Sequence, residues 1–415
     1  MSQPFITDND ANAMRDLLAE DYLDDTYLRN NFLNWVPKET DKDGGKQVQQ
    51  VIKTGATTQH GADDVAGLAG VSGAGPARKA FFTPWIASYG FAQVPMTDIL
   101  LSQSRDTAVV ELLVDAVRDA RKSCARDLEK ASAGDGFGTI TTITSTTGTY
   151  VITANQVSDC IPVNLGDTYV TSAANNSSSL DTGSITVTAV DRDAGTITVT
   201  ANGGWTPTNG HYVFNTLDKK SGSYATPLKI FGLSAWLPSA NTAGVRTALA
   251  DLGTVVRTAD PQNLGGCYAT GSARAIRAAV NQMIAKIMPK ADANPDTLWM
   301  SPNTLMALKN ELNNLYRYVD VEDVEVNAEA IQFDAVNGKA KAMESFGIPD
   351  NLIYVLTRDT WKMRTPMGME LVQSATNNGK DYIDSYNSVQ AQIRQMTLAN
   401  LSCAFPGANG VIVLS

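Results

Sequence analysis

The strongest periodic pattern in the chain is an apolar stripe that recurs every three or four residues across residues 106–130. This spacing predicts an amphipathic helix, and roughly 25 residues at about 1.5 Å each would make it about 40 Å long. The apolar positions are Val109, Leu112, Leu113, Ala116, Val117, Ala120, Cys124 and Leu128. The charged face includes Arg118, Arg121, Lys122 and Arg126, which either meet water or bridge to neighbouring copies.

The segment AGDGFG, residues 133–138, follows this helix and has the glycine content of a phosphate-binding loop. Nucleotide-binding loops lead from a strand into a helix, because the phosphate lies at the positive N-terminus of that helix. Here the order is reversed, and a helix C-terminus carries the partial negative charge that repels phosphate. We therefore interpret the segment as a joint. A left-handed Gly134 is predicted to end the helix, and Gly136 and Gly138 to act as a hinge.

Two strand-like stretches, residues 46–53 and 78–94, flank a glycine-rich segment and predict a two-stranded hairpin with a long tip. An isolated hairpin is marginal in water, and its own sequence offers it little to pack on. We therefore expect the hairpin to become stable only when it packs on a partner chain. Its candidate contact residues are Lys46, Lys53, Arg78 and Lys79. The acidic residues 8–35 likewise predict an arm that packs on something else.

Residues 139–218 alternate β-branched residues with short Gly, Asn and Asp turns, which predicts a small all-β module. ITVTAVDRDAGTITVT is its clearest hairpin. The carboxylates of Asp181, Asp191 and Asp193 could hold calcium, but no EF-hand spacing is present, and a turn-forming role is favoured. We therefore predict no metal site.

After residue 228 the pattern returns to mixed helix and strand. Residues 272–288 predict an amphipathic helix that buries Ile276, Val280, Met283, Ile284 and Ile287. Residues 295–302 predict a buried strand that leads into a helix over 303–315.

Composition narrows the function classes. Apolar runs are too short for a transmembrane helix, and the first residues lack a signal pattern, so we expect a protein made in a cytoplasm. The chain has two histidines, His60 and His211, and four widely spaced cysteines, which leaves no constellation of nucleophile, base and orienter. A net charge of −10 without a basic cluster disfavours tight binding of nucleic acid. We expect no enzyme and no cofactor.

The order of these elements, together with several local phrases, resembles the tailed-phage major capsid proteins of the Hong Kong phage type. PARKAFFTPWIASYGFAQVPMTDILLSQS looks like the returning strand of that family's E-loop, and the helix over 106–130 looks like its spine helix. PDTLWMSPNTLMALKNEL and MTLANLSCAFPGANGVIVLS are similar to its A-domain and its closing segment. The family often has an Arg near the last Pro, where this chain has Phe405.

The resemblance implies an α+β fold with an inserted all-β domain. Its domains would be an N-terminal arm (1–40), an E-loop (41–95), a P-domain with the spine helix (96–138), the inserted domain (139–220), a return to the P-domain (221–270), an A-domain (271–388) and closing strands (389–415).

The implied function is that of a major capsid subunit, which assembles as pentamers and hexamers into an icosahedral shell around double-stranded DNA. Its location would be the virion, after assembly in the bacterial cytoplasm. The implied partners are other copies, a separate scaffolding protein and a portal, and a decoration protein is left open. A Lys–Asn cross-link through Lys46, Lys53 or Lys79 is disfavoured. The alternatives are an encapsulin-like compartment and, in another class, a secreted surface-layer or adhesin protein.

Overall fold

The structure is a computed structural model, and it describes residues 31–40, 47–53, 78–95, 106–147, 151–175, 179–218, 228–239, 255, 257–272, 275–289, 293–316, 331–335, 338–371, 382–384 and 390–414. The helices are α1 (Asn31–Trp35), α2 (Asp106–Ala133), α3 (Leu233–Trp236), α4 (Pro261–Gly265), α5 (Ile276–Ile287) and α6 (Pro302–Tyr316). The strands before the all-β block are β1 (Lys38–Thr40), β2 (Gln47–Lys53), β3 (Arg78–Pro84) and β4 (Ile86–Pro95).

The remaining strands fall in two groups along the chain. The first group is β5 (Thr139–Thr142), β6 (Ser145–Thr147), β7 (Val151–Thr153), β8 (Thr168–Ser172), β9 (Ser184–Asp191), β10 (Thr196–Asn202) and β11 (Tyr212–Asn215). The second is β12 (Cys267–Gly271), β13 (Thr297–Met300), β14 (Gln332–Ala335), β15 (Gly338–Glu344), β16 (Leu352–Leu356), β17 (Trp361–Leu371), β18 (Tyr382–Asp384), β19 (Gln390–Cys403) and β20 (Gly410–Leu414).

The helices and the buried strand that the apolar pattern predicted are present. α2 extends three residues beyond the predicted end, and its described apolar residues Ala120, Cys124 and Leu128 are buried. α5 buries the five predicted positions, and β13 is buried along its whole length before α6 begins at Pro302. Among the described residues, no helix is both long and apolar enough to cross a membrane.

The first group of strands forms one antiparallel sheet in the order β5-β11-β8-β9-β10-β7-β6. β5 and β6 are two halves of one bent strand, and the residues between them continue the pairing: the Ile143 N–H donates to the His211 carbonyl (2.9 Å) and the Thr144 N–H to the Thr153 carbonyl (3.1 Å). The sheet therefore closes on itself, and we refer to residues 139–215 as the closed sheet. It has its own core, built around Ile152, Ile185, Ile197, Val199, Trp205 and Val213.

The predicted hairpin within this sheet is present as β9 and β10, and it turns at Gly195 with φ +66°. Its aspartates serve the turn: the Asp191 carboxylate accepts the N–H groups of Asp193 (3.0 Å) and Ala194 (2.9 Å).

Two larger sheets frame the rest of the chain, and β2 and β3 form a separate two-stranded sheet. β4 and β17 flank β19, β18 pairs with β19 as well, and β1 runs parallel to β17. The second sheet has the order β12-β20-β16-β13-β15-β14, and α5 and α6 cover it.

Two expectations about packing are wrong for the described residues. Residues 31–36 are part of the subunit's own core, because Phe32 and Leu33 are buried and Phe32 meets Trp299 edge-on at 5.4 Å. The paired strands of the β2–β3 hairpin also pack within the chain. Ile52 and Phe81 are buried. The ring centroids of Phe81 and Trp236 lie 5.2 Å apart in a T-shaped contact.

Candidate functional site

The segment AGDGFG connects the end of α2 to β5, the first strand of the closed sheet. This is the position that the interpretation as a joint predicts. The prediction for Gly134 is wrong in its geometry: α2 ends at Ala133, and Gly134 does not have a positive φ. Its N–H instead donates to the Ala131 carbonyl (3.0 Å), which tightens the last turn. The left-handed residues are Gly136 (φ +92°) and Gly138 (φ +78°), the two predicted hinge positions.

A glycine far away in sequence completes the end of α2. A Cβ on Gly232 would lie 2.4 Å from the Ala131 carbonyl oxygen and 2.5 Å from that of Ser132. Backbone therefore approaches backbone at a distance that only glycine permits. Sequence reasoning missed Gly232, because nothing in its local pattern shows which helix it will meet.

An ion cluster fixes the joint from the returning chain. The main-chain N–H of Lys229 donates to the Gly136 carbonyl (3.0 Å), and its ammonium contacts Asp127 on α2 and Asp218 (3.2 Å) after the closed sheet. Burial alone would lower the pKa of the Lys229 ammonium, but the two carboxylates outweigh burial and raise the pKa above its usual value. Lys229 therefore stays charged and joins three segments.

A second ion pair ties the closed sheet to the last turn of α2. The Lys130 ammonium lies 2.6 Å from the Asp159 carboxylate, which also accepts the Thr141 hydroxyl (2.9 Å). Both charged side chains are mostly buried. The pair holds a short helical turn of the closed sheet, Val157–Cys160, against α2.

Beside the joint lies a cleft of about 440 Å³ between β4, α2 and the closed sheet. It is lined by four aspartates and two lysines: Asp127, Asp135, Asp167, Asp218, Lys130 and Lys229. Tyr89 stands at the cleft with 53% of its surface exposed. No group of His, Cys, Asp or Glu with the arrangement of a metal site occurs in the described ranges. The lining thus carries more acidic than basic side chains.

On the opposite side of α2, Glu129 is a buried carboxylate that holds three elements together. It accepts the N–H groups of Phe32 (3.3 Å) and Leu33 (3.2 Å) and the hydroxyl of Ser345 (2.5 Å). Burial raises the pKa of Glu129, and these hydrogen bonds partly counteract that effect. The residue attaches the N-terminal segment and the six-stranded sheet to α2, which is a structural role.

The predicted contact residues of the hairpin lie at the end of its paired strands next to the glycine-rich segment, which we call the open end. Lys53 pairs with Arg78, and Lys79 is opposite Ile52, so three cationic residues share the last two registered pairs. Lys46 lies outside the described residues. Of the predicted charged face of α2, Arg126 is exposed, Arg118 and Lys122 are half-buried, and the side chain of Arg121 is outside the described part.

The cysteine thiols are shielded from solvent. All four are free and buried. Burial raises the pKa of Cys124 and of Cys403 to about 12 and that of Cys160 to about 11. These three thiols are protonated at neutral pH, whereas nucleophilic attack needs the thiolate.

Comparison with known proteins gives a likeness in structure only. No family model and no curated protein matches the sequence. The capsid asymmetric unit of the cyanophage A-1(L) matches with a TM-score of 0.50 and 11% identity over 92% of both chains. The capsid of the native GTA particle has a TM-score of 0.46 and 10% identity over 94% of this chain and 90% of that one. The virus-like particle from Pyrococcus furiosus has a TM-score of 0.40 and 9% identity over 97% and 98%.

The match to the cyanophage capsid chain covers 92% of both chains, so it concerns the fold and not one shared motif. The predicted α+β capsid fold of the Hong Kong phage type is therefore confirmed, and this chain has that fold.

Proposed function

We propose that this chain is the major capsid subunit of a tailed bacteriophage and that its copies assemble into an icosahedral shell around double-stranded DNA. The observation that carries the proposal is the match to the cyanophage A-1(L) capsid subunit over 92% of each chain. The net charge of −10 is consistent with a wall that encloses DNA without gripping its phosphates. The role is structural, and no reaction is assigned to the chain.

The hairpin β2–β3 is the first candidate contact between copies. One face of its paired strands packs into the subunit through Ile52 and Phe81, whereas Val51 on the other face is 52% exposed. Beyond the register Lys53–Arg78 the chain continues into the glycine-rich segment before it returns. A hairpin packed along one face and exposed along the other offers surface to a second copy.

The acidic cleft at the joint is the second candidate contact. Its four aspartates outnumber its two lysines, and the open end of the hairpin carries Lys53, Arg78 and Lys79. Opposite charges steer association and fix the register of the partners more than they add affinity. We propose that the basic end of one hairpin lies over the acidic cleft of the adjacent copy.

Electron microscopy of the purified full-length chain, alone or with a co-expressed scaffolding protein, tests both levels of the proposal. We expect closed shells for the parent chain. We expect no shells for a variant in which Lys53, Arg78 and Lys79 are changed to Glu, although its monomer should keep the parent's circular dichroism. Arg277→Glu is the matched control, because Arg277 is an exposed cation on α5 away from both contacts.

Each outcome has a distinct reading. A stable monomer of the parent chain under all assembly conditions contradicts the capsid function. Normal shells from the charge-reversed hairpin contradict only the charge contact. Shells that form in the phage-free host and package protein instead of DNA favour the encapsulin-like compartment.

A further inference from the structure

The closed sheet is attached to the subunit by contacts of two kinds. Lys130, on the last turn of α2, holds Asp159 of the closed sheet, and Asp127, about one turn earlier, holds Lys229 on the chain that returns from it. Gly136 and Gly138, the left-handed residues of the joint, lie beside this turn. Attachments that gather at one helix end leave rotation about that end unconstrained unless a further contact blocks it.

Gln156 of the closed sheet makes this further contact. Its partners lie in the loop that precedes β16 of the six-stranded sheet. Its side-chain carbonyl oxygen accepts the Asp350 N–H at 2.6 Å, and its amide nitrogen donates to the Asn351 Oδ1 at 3.1 Å. Gln156 directly precedes the Val157–Cys160 turn, which also carries Asp159. One short segment therefore contacts both α2 and the six-stranded sheet.

The loop that receives Gln156 is itself fixed. The Thr304 hydroxyl donates to the Asp350 carbonyl (2.6 Å), and the Asn303 amide donates to the Asp350 carboxylate (3.1 Å), both from the first turn of α6. A cleft of about 490 Å³ runs beside the contact, with residues 155–157 on one wall and α6 on the other. Gln156 spans this cleft between two bodies that each have their own core.

We propose that Gln156 is a latch that sets the orientation of the closed sheet on the rest of the subunit. The latch consists of two neutral hydrogen bonds at a partly solvated position, and water competes for such bonds. When the latch opens, the closed sheet rotates about the joint at Gly136 and Gly138 while its own fold is retained. The proposal concerns the single subunit and does not depend on the capsid function.

Hydrogen exchange on the full-length chain in its unassembled form tests the latch. In Gln156→Ala we expect exchange at Asp350 to accelerate about tenfold, which corresponds to about 1.4 kcal/mol. Exchange in β9 and β10 should stay at the parent's rate, because the core of the closed sheet is untouched. Asn155→Ala is the matched control, since Asn155 is an adjacent exposed carboxamide that lines the same cleft. It should change neither rate.

A distance measurement detects the rotation itself. Spin labels at Leu165→Cys and Met306→Cys report across the cleft, because these side chains are 69% and 56% exposed and the four native cysteines are buried. We expect one narrow distance distribution in the parent and in the Asn155→Ala background, and a broader one with Gln156→Ala. Equal distributions in all three backgrounds overturn the proposal. Faster exchange throughout β9 and β10 in Gln156→Ala overturns it too, because Gln156 would then support the fold of the closed sheet and not its orientation.

Discussion

The hairpin β2–β3 and the closed sheet are both β excursions from the body of the subunit, but they reach stability in different ways. The closed sheet pairs its strands into a ring and surrounds its own core. The hairpin has two strands and inserts Ile52 and Phe81 into a core that other elements build. The closed sheet is therefore a folding unit, whereas the hairpin is an appendage of the main core.

The largest test of this comparison is Phe81→Ala. Phe81 is fully buried against Trp236, and its loss should lower the free energy of unfolding by about 3–5 kcal/mol. Urea unfolding followed by Trp fluorescence measures the change. Val51→Ala on the same hairpin is the control, and it should stay within about 0.5 kcal/mol because Val51 is exposed. Equal, small effects of both changes would show that the hairpin does not belong to the core.

The second test is a substitution that should destabilise the closed sheet and leave the main core unchanged. A Cβ on Gly183, whose φ is +87°, would lie 2.3 Å from the Asn202 carbonyl oxygen. Gly183→Ala should therefore cost about 3 kcal/mol, and faster hydrogen exchange should be confined to the closed sheet. Gly166→Ala is matched, because Gly166 has φ +84° but nothing within 4 Å of its Cβ, so we expect about 1 kcal/mol. If the main core opened together with the closed sheet, the two would not be separate folding units.

The third test concerns the attachment of the closed sheet to α2. Lys229→Met leaves Asp218 mostly buried without its ammonium partner and should cost about 2 kcal/mol. The folded pKa of Lys229 lies above its unfolded value, so its contribution is complete below the unfolded pKa and is lost as the pH rises through the folded one. The stability difference between parent and variant should thus be constant from about pH 6 to about pH 9. A difference that shrank within this range, in urea unfolding at several pH values, would contradict the ion cluster.

Local patterns predicted the elements well, because local physics decides them. The apolar stripe indicated α2 and α5, and alternation indicated β9 and β10. The left-handed conformation falls on Gly136 and Gly138 and not on Gly134, since the last turn of α2 closes through a hydrogen bond of Gly134.

The contacts that organise the site could not be read from the sequence. Lys229 and Asp127 are 102 residues apart in the sequence, and Gln156 and Asp350 are 194 residues apart. The burial of Phe32 and Phe81 was also not predicted. Their sequence neighbours are acidic or glycine-rich, and such a composition indicates an exposed segment. Such pairings depend on how whole sheets are arranged, and single-chain periodicity carries no information about that.

The hydrogen bond between the Lys229 N–H and the Gly136 carbonyl brings the entry and the exit of the closed sheet to within 3.0 Å of each other. A unit whose ends meet in this way can be removed and the chain rejoined by a short turn, and an unrelated unit with adjacent termini can take its place. The joint is therefore a natural grafting point, where foreign domains can be displayed on the subunit while α2 and both framing sheets keep their connections.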